Sequence, residues 1–523
     1  GELADGVRAG LGWHRRRDIR NPARGFCTTI TDGVVARRSL SSVKRDTGDC
    51  TGHPAARLPP LSDTWLKGSP LSMRDFKTNL ALLGAAVRRR HERLFYRHTM
   101  QLPASPATEV ALPITTPAAA LAAIERILAR AFLPFWTTKC APDAGEGYRL
   151  NHDIIGRWMG RRPQRTVAQT RTLWFFAMMA SSGDDPARDR ALAQPGADFL
   201  LHRLWDHRYG GFFWEVRPRS GLPSDSRKHL FAHAFALFAL SEYTLASGDG
   251  EAARAADATF EVMETRFHDP ADGGYREVFH EDWREIADDQ PGLLGVAPDI
   301  KLRNTHMHVL EALSVYYSLR PDALVRQRLL EPFNILAAVA IRPDFATGSE
   351  EHRRNWRPLF DDQSAVSSYG HDLEYIHVAL QAADALGDGQ APPLELFAGL
   401  FDHAVSYGYD HERGGFFATG RPGTPASDCS KIWWVQAETL LAALVMFRRT
   451  DESRYWHLFC RTLEWIVCWQ TDWVHGDWHT TIAPDGVISG AKASVWKEPY
   501  HHGRAMMSSR HLLRDMLTDA GAT

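Results

Sequence analysis

Near the end of the chain, Trp496-Lys497-Glu498-Pro499-Tyr500-His501-His502-Gly503-Arg504 gathers two adjacent imidazoles, a guanidinium and two large aromatics at what reads as the mouth of a helix. Pro499 suits a first helical turn, and Met506, Met507, Leu512 and Leu513 continue an apolar stripe. Aromatic faces stack on pyranose rings, an arginine holds an oxygen, and a histidine moves a proton near neutral pH, so the mixture suits a sugar site. A capped surface helix with a satisfied histidine would use the same residues. What favours chemistry is the company upstream.

Arg171 precedes Trp174 in a run so apolar that its guanidinium must meet an anion, a carbonyl or a polar ligand. His229 and His233 are spaced i, i+4 and share one helix face. That spacing is compatible with zinc, but it lacks the glutamate of an HExxH pair and a third ligand, so no metal and no cofactor is expected. In Asn304-Thr305-His306-Met307-His308-Val309-Leu310-Glu311 the carboxylate of Glu311 stands i+3 from His308, where it fixes the imidazole tautomer and raises its basicity. Gly370-His371-Asp372-Leu373-Glu374 repeats the His/Glu spacing at a helix start, where the dipole also favours a purely structural glutamate. Lys431-Ile432-Trp433-Trp434-Val435-Gln436-Ala437-Glu438 reads mostly as packing with some cavity lining. Each cluster alone has a structural explanation in an ion pair or a His–Glu contact.

The elements that must position these residues are helices. Apolar residues recur at helical spacing in about twelve segments, near 117–136, 163–181, 188–204, 228–246, 249–266, 301–318, 322–341, 369–386, 393–406, 430–447, 451–469 and 499–517. The loops between them repeat: Asp206-His207-Arg208-Tyr209-Gly210-Gly211-Phe212 recurs around Asp269 with Gly273-Gly274-Tyr275, around Asp410 with Gly414-Gly415-Phe416, and in degenerate form at Asp472 to Trp478. Gly-Gly followed by aromatics suits a tight reversal into a short hairpin. Repetition of one supersecondary unit predicts an all-α fold, an (α/α)6 barrel of twelve helices with short hairpins in the loops, against an open solenoid as the competing arrangement.

Composition bounds the partners. The 523 residues carry a formal net charge of -2, which attracts neither nucleic acid nor an anionic membrane, so a small neutral substrate fits better. Six cysteines without CxxC or zinc spacing read as cytosolic thiols, no apolar run approaches a bilayer span, and the expected setting is cytoplasmic. Residues 1–115 read as a loosely held extension, with an Arg-rich helix near 73–98 and a Pro- and Thr-rich linker after it; residues 116–523 read as the catalytic domain, a monomer or homodimer.

Taken in order from Arg171 to Arg504, these motifs resemble the N-acylglucosamine 2-epimerase superfamily, and the closing Trp-Lys-x-Pro-Tyr-His-x-x-Arg with the Asp-x-x-x-Gly-Gly-Phe loops is most similar to its cellobiose 2-epimerase and mannose isomerase branch. The resemblance implies metal-free proton transfer through an enediolate, giving epimerisation at carbon-2 or aldose–ketose isomerisation. It implies His308 and His501 as the proton-transferring pair, His233 as a helper near the ring oxygen, and Arg171 on the enediolate oxygen. Glu311 and Glu374 would orient the imidazoles and Trp496 would stack on sugar, with Trp174, His229, Asn304, His371, Trp434, Tyr500 and Arg504 completing the set that binds or orients the substrate. The chain departs from the family at Tyr375 and His377, where a tryptophan is common, and in the long polar segments 281–299 and 342–367. A glycoside hydrolase on the same scaffold would need two carboxylates facing one bond, and a carbohydrate-binding protein would bind without turnover.

Overall fold

The computed structural model describes residues 99–521 apart from 143–144, 288–291, 340, 343, 360–364 and 388–393. The expectations for residues 1–98, including the Arg-rich helix, lie outside the described residues. The run 102–117, expected to be a linker, is anchored to the rest of the fold at several points. Met100–Gln101 adds an edge strand to Val487–Ser489, Ile114 is buried with its amide on Glu464, and Thr116 caps the first helix through Ala119 N.

Among the described residues twelve α-helices follow: α1 (Pro117–Ile127), α2 (Thr166–Ser182), α3 (Pro186–Phe199), α4 (Leu230–Ser247), α5 (Gly250–Val262), α6 (Arg303–Leu319), α7 (Ala323–Val339), α8 (Tyr369–Leu386), α9 (Leu394–Gly408), α10 (Trp433–Thr450), α11 (Ser453–Trp465) and α12 (Tyr500–Gly521). The even-numbered helices touch in the cycle α2–α4–α6–α8–α10–α12 and back to α2, and each is backed by one odd-numbered helix. This closed double ring is the expected (α/α)6 barrel, not a solenoid. Helices α2, α4, α6, α8 and α10 are buried nearly all round because both faces are covered. Helix α4 is long and apolar enough to cross a membrane by composition, yet 83% of it is buried inside the ring.

The loop repeats become the device that aligns the inner helices. Two-residue strands lead into α2, α4, α6, α8 and α10, and each pairs antiparallel with a strand in the loop after the next outer helix, as in Lys228–His229 against Val278–Phe279. The first amide of an inner helix then donates to that loop: Thr166 N to Trp214 O at 3.1 Å, Leu230 N to Glu277 O at 2.8 Å, Arg303 N to Glu350 O at 2.9 Å and Trp433 N to Thr480 O at 3.0 Å. Orphan donors that a side chain would otherwise cap are thereby satisfied. Buried lysines lock the loop aspartates, Lys228 to Asp206 at 2.7 Å, Lys301 to Asp269 at 3.0 Å, Lys431 to Asp410 at 2.7 Å and, in the degenerate copy, Lys492 to Asp472 at 2.9 Å. The paired glycines stand at positive φ, and a Cβ on Gly211 would meet His233 Nε2 at 2.5 Å. Strands this short carry no period of their own, so the sequence hardly indicates them.

Candidate active site

All six inner helices begin at the same end of the ring, and the first turns of each line one cavity of about 230 Å³. Its walls are Arg171 and Phe231 from α2 and α4, Asn304 and His308 from α6, His371 and Glu374 from α8, Trp433 and Trp434 from α10, and His501 from α12, with Trp496 at the rim. Of the residues expected from sequence, Arg171, Asn304, His308, His371, Glu374, Trp434, Trp496 and His501 therefore converge.

The repeat explains their depth. Counted from Gln164, Lys228, Lys301, Ser367, Lys431 and Lys497, His371 and His501 each stand four places on, whereas Arg171, His308, Glu374, Glu438 and Arg504 all stand seven places on. Three residues are close to one helical turn, so the second set forms a layer beneath the first. In that lower layer Arg504 is the hub, donating to Glu311, to Glu374 at 2.6 Å and to Glu438 at 2.9 Å. Tyr500, fully buried beside the Arg504 guanidinium, donates its hydroxyl to Glu311. Glu374, Glu438 and His501 have ligand atoms within 4.8 Å of one another, but Arg504 already bonds both carboxylates there.

Each imidazole is held by a carboxylate at Nδ1. His308 meets Glu311 at 3.0 Å, His501 meets Glu438 at 2.7 Å, and His371 meets Glu350 at 3.0 Å. Glu311 and Glu438 are buried, which alone would raise them, but Arg504 and the imidazoles overcome this; Glu311 falls to about 2 and Glu438 lies well below the usual range. An ionised carboxylate accepts only, so the hydrogen of His308 and of His501 sits on Nδ1 and the lone pair is on Nε2. Burial lowers His308 despite Glu374 and Glu311, and lowers His501 to about 3 despite Glu438. His371 goes the other way, because Glu350 outweighs the burial that would depress it. A single oxygen, Glu374 Oε1, lies 3.9 Å from His308 Nε2 and 3.7 Å from His501 Nδ1, so these rings flank one carboxylate.

Accessibility separates the three. The side chain of His371 is 22% exposed and that of His501 9%, while that of His308 is 1% exposed with Nε2 covered and unpartnered. The rings of His371 and His501 lie 5.0 and 5.6 Å from the ring of Trp434, one to each side of it in chain order. Trp434 is pressed onto the backbone of α8, where a Cβ on Gly370 would meet it at 2.3 Å. Arg171 is fixed by Glu498 at 2.8 Å and by the ring faces of Phe235 and Tyr500 at 4.1 and 4.7 Å, and its Nε has no partner.

Three expectations need correction. His233 does not reach the cavity: it is fully buried, its Nδ1 is on His229 O at 2.8 Å and its Nε2 accepts from Phe212 N at 2.9 Å. The equivalent places in other repeats, Gln169, His306 and Gln436, accept Tyr148 N, Tyr275 N and Phe416 N in the same way, so His233 clips a loop. His229 is buried against Trp214 and caps α4 by accepting from Phe231 N. Trp174 packs beneath the site between Phe238 and Tyr500. Since glutamine does the work of His233 at two sister positions, His233→Gln is expected to keep wild-type turnover, whereas His233→Ala strands a buried amide and loses about 1–3 kcal/mol of stability in urea melts.

Sequence reasoning missed four groups. Glu438 orients His501 and is held on its other oxygen by His377 at 2.6 Å; Glu498 anchors Arg171; Glu350 holds His371; and Phe231 covers the wall. Glu438 carried a signal, its i, i+4 spacing from Trp434 in the quoted motif. Glu350 carried none, lying in an aperiodic segment.

Comparison with known proteins agrees with this geometry. Residues 147–505 match the sequence profile of N-acylglucosamine 2-epimerase (GlcNAc 2-epimerase). The chain is 29% identical over 392 residues to a cellobiose 2-epimerase of Bacteroides fragilis, covering 73% of this chain and 96% of the relative. It is 28% identical over 308 residues to a D-mannose isomerase of Thermobifida fusca, covering 56% and 72%. The solved cellobiose 2-epimerase of Spirochaeta thermophila superposes with a TM-score of 0.68 at 26% identity, covering 77% of this chain and 98% of that one.

Proposed function

The chain belongs to the N-acylglucosamine 2-epimerase family, a sugar-isomerising class, and from that premise we propose that it interconverts aldoses at carbon-2 at the reducing end of a glucose- or mannose-type sugar. The observation that carries the reading is the convergence of His371 and His501, at equivalent repeat positions, on one cavity with Arg171, each imidazole held at Nδ1 by a carboxylate and packed against Trp434; their surroundings push the two proton affinities apart, His501 down and His371 up. Groups driven apart in this way divide into base and acid. Neutral His501 takes the carbon-2 proton on Nε2, leaving an enediolate, and protonated His371 returns one to the enediolate carbon. Delivery to the opposite face of carbon-2 gives the epimer; delivery to carbon-1 gives the ketose.

A proton next to a carbonyl is weakly acidic, so the developing oxyanion must be stabilised. Arg171, with its unpartnered Nε, and the amino ends of six helices supply positive potential at that place. Trp496, 41% exposed and lying under the Arg165 guanidinium at 4.7 Å, offers a stacking face at the rim for a second sugar unit, which favours a disaccharide of the cellobiose kind. Free thiols at Cys140, Cys429, Cys460 and Cys468 suit a reducing, cytoplasmic setting.

The test is incubation with cellobiose, glucose and mannose in deuterated water. Deuterium at carbon-2 with a new C2 epimer supports the reading; ketose as the main product moves it to aldose–ketose isomerisation; no exchange with any aldose overturns it. Pairing His308 with His501 is the second reading, favoured by the bare lone pair on His308 Nε2, and it requires the floor to open and uncover that nitrogen. A hydrolase gains little support, because Glu311, Glu374 and Glu438 are all tied to one guanidinium.

A further inference from the structure

Glu438 and Glu311 each hold a cavity imidazole, but they are gripped differently. On Glu311 the donors divide between the oxygens, Arg504 on Oε1 and His308 with Tyr500 on Oε2, and this fixes the plane of the carboxylate. On Glu438 two donors crowd onto Oε1, His501 Nδ1 at 2.7 Å and Arg504 Nη2 at 2.9 Å. Oε2 is taken by His377 of α8, a residue outside the cavity lining, whose Nε2 stands at 2.6 Å. The last torsion of a glutamate has a broad, two-fold preference, so rotamer energy alone does not hold its plane. His377 stands ten places beyond Ser367, one turn beneath Glu374. The same place in the other repeats carries Trp174, Phe238, Leu441 and Met507, and besides His377 only Glu311 is polar there. The side chain of His377 is 2% exposed and that of Glu438 0%, and a polar ring at such a depth is costly unless bonded.

We propose that His377 is a positioning residue for His501, acting through Glu438. Its Nε2–H pins Oε2, which turns Oε1 to the His501 ring, keeps the hydrogen of that ring on Nδ1 and leaves Nε2 facing the sugar. His377 itself touches neither the sugar nor the reacting atoms. An ionised carboxylate only accepts, so the hydrogen between His377 and Glu438 belongs to His377 Nε2. In the abstraction step the carbon-2 C–H bond breaks and an N–H bond forms at His501 Nε2; the hydrogens on His501 Nδ1 and His377 Nε2 stay in place, and Glu438 stays ionised. The inference rests on the proton-transfer reading only in the part that both pairings given above share, that His501 is one of the two carriers. The charged groups around His501 are Glu438 from α10, Glu374 from α8, Arg171 from α2 and Arg504 from its own helix.

His377→Leu removes the donor and keeps an apolar filling. With Oε2 released Glu438 is free to turn, and kcat for mannose or cellobiose is expected to fall about 10- to 100-fold with KM nearly unchanged, as for loss of a group that orients a working side chain from behind. His377→Gln, whose amide donates to the same oxygen, should recover much of the rate. Activity that needs neutral His501 is present above the His501 pKa and is lost as pH falls through it. The bond from His377 draws charge toward Oε2, and without it more charge faces His501. In His377→Leu that pKa therefore rises, the acid limb of kcat/KM moves to higher pH, and NMR titration of the His501 ring follows it. A folded His377→Leu enzyme that keeps wild-type kcat, or whose acid limb does not move, overturns the inference, and so does a loss of rate that His377→Gln fails to relieve. Should neither variant fold, nitrogen NMR of the unaltered chain decides: a hydrogen on His377 Nε2 shielded from exchange supports the role, and a bare Nε2 refutes it. His501→Ala separates the two claims, since full activity there sinks the proton-transfer reading itself, whereas an inactive His501→Ala beside an unaltered His377→Leu sinks only the role of His377.

Discussion

His501→Ala is expected to lower kcat for sugar interconversion by about 10²- to 10⁴-fold, the range for loss of a positioned acid or base, and His371→Ala to do the same. Total activity is the lesser readout. With one imidazole left, the enzyme still exchanges the carbon-2 proton of whichever epimer presents it to that ring, but delivers no proton to the other face. Each variant in deuterated water should therefore label one epimer and not convert it, and the two variants should label opposite epimers. Neither substitution empties a packing position completely, because both rings border the cavity, so thermal unfolding should shift little. Conversion by either single variant at more than a small fraction of the wild-type rate would show that its imidazole is not one of two required carriers. If His308→Ala rather than His371→Ala shows single-epimer labelling, the floor histidine is the partner.

How far the sequence foretells this site depends on which period each residue obeys. Twelve helices are legible because their stripes repeat over three to five turns, and the ring is legible because its loops repeat too. The same repetition holds the clue to His233 that spacing within one helix conceals. An i, i+4 pair with His229 looks like chemistry in isolation, but Gln169 and Gln436 in the same register show that the position serves a loop amide. Register also separates His371 and His501 from His308, which motif reading alone places with His501. What no period reveals is a partner delivered from an irregular segment: Glu350 reaches His371 only because residues between α7 and α8 fold back over Arg303. Nor does spacing show that Glu498, one residue after Lys497, turns inward to Arg171.

That last pairing sets the second large effect. Arg171→Met removes the fixed cation nearest the developing oxyanion, and kcat should drop by about 10²- to 10³-fold, the usual cost of losing one such stabilising group. It also leaves the Glu498 carboxyl buried without its counter-charge; burial already pushes that group up, and Arg171 is what opposes the push. Breaking one side of a buried pair costs about 3–5 kcal/mol, so the single variant should unfold at markedly lower urea. The double variant Arg171→Met with Glu498→Gln separates the two roles: it should recover much of the stability, since no lone charge remains inside, yet none of the turnover. Recovery of both would mean that Arg171 holds Glu498 in place and does nothing for the enediolate, while Arg171→Lys, which keeps the charge but not the planar fork gripped between Phe235 and Tyr500, should fall between wild type and Arg171→Met in rate.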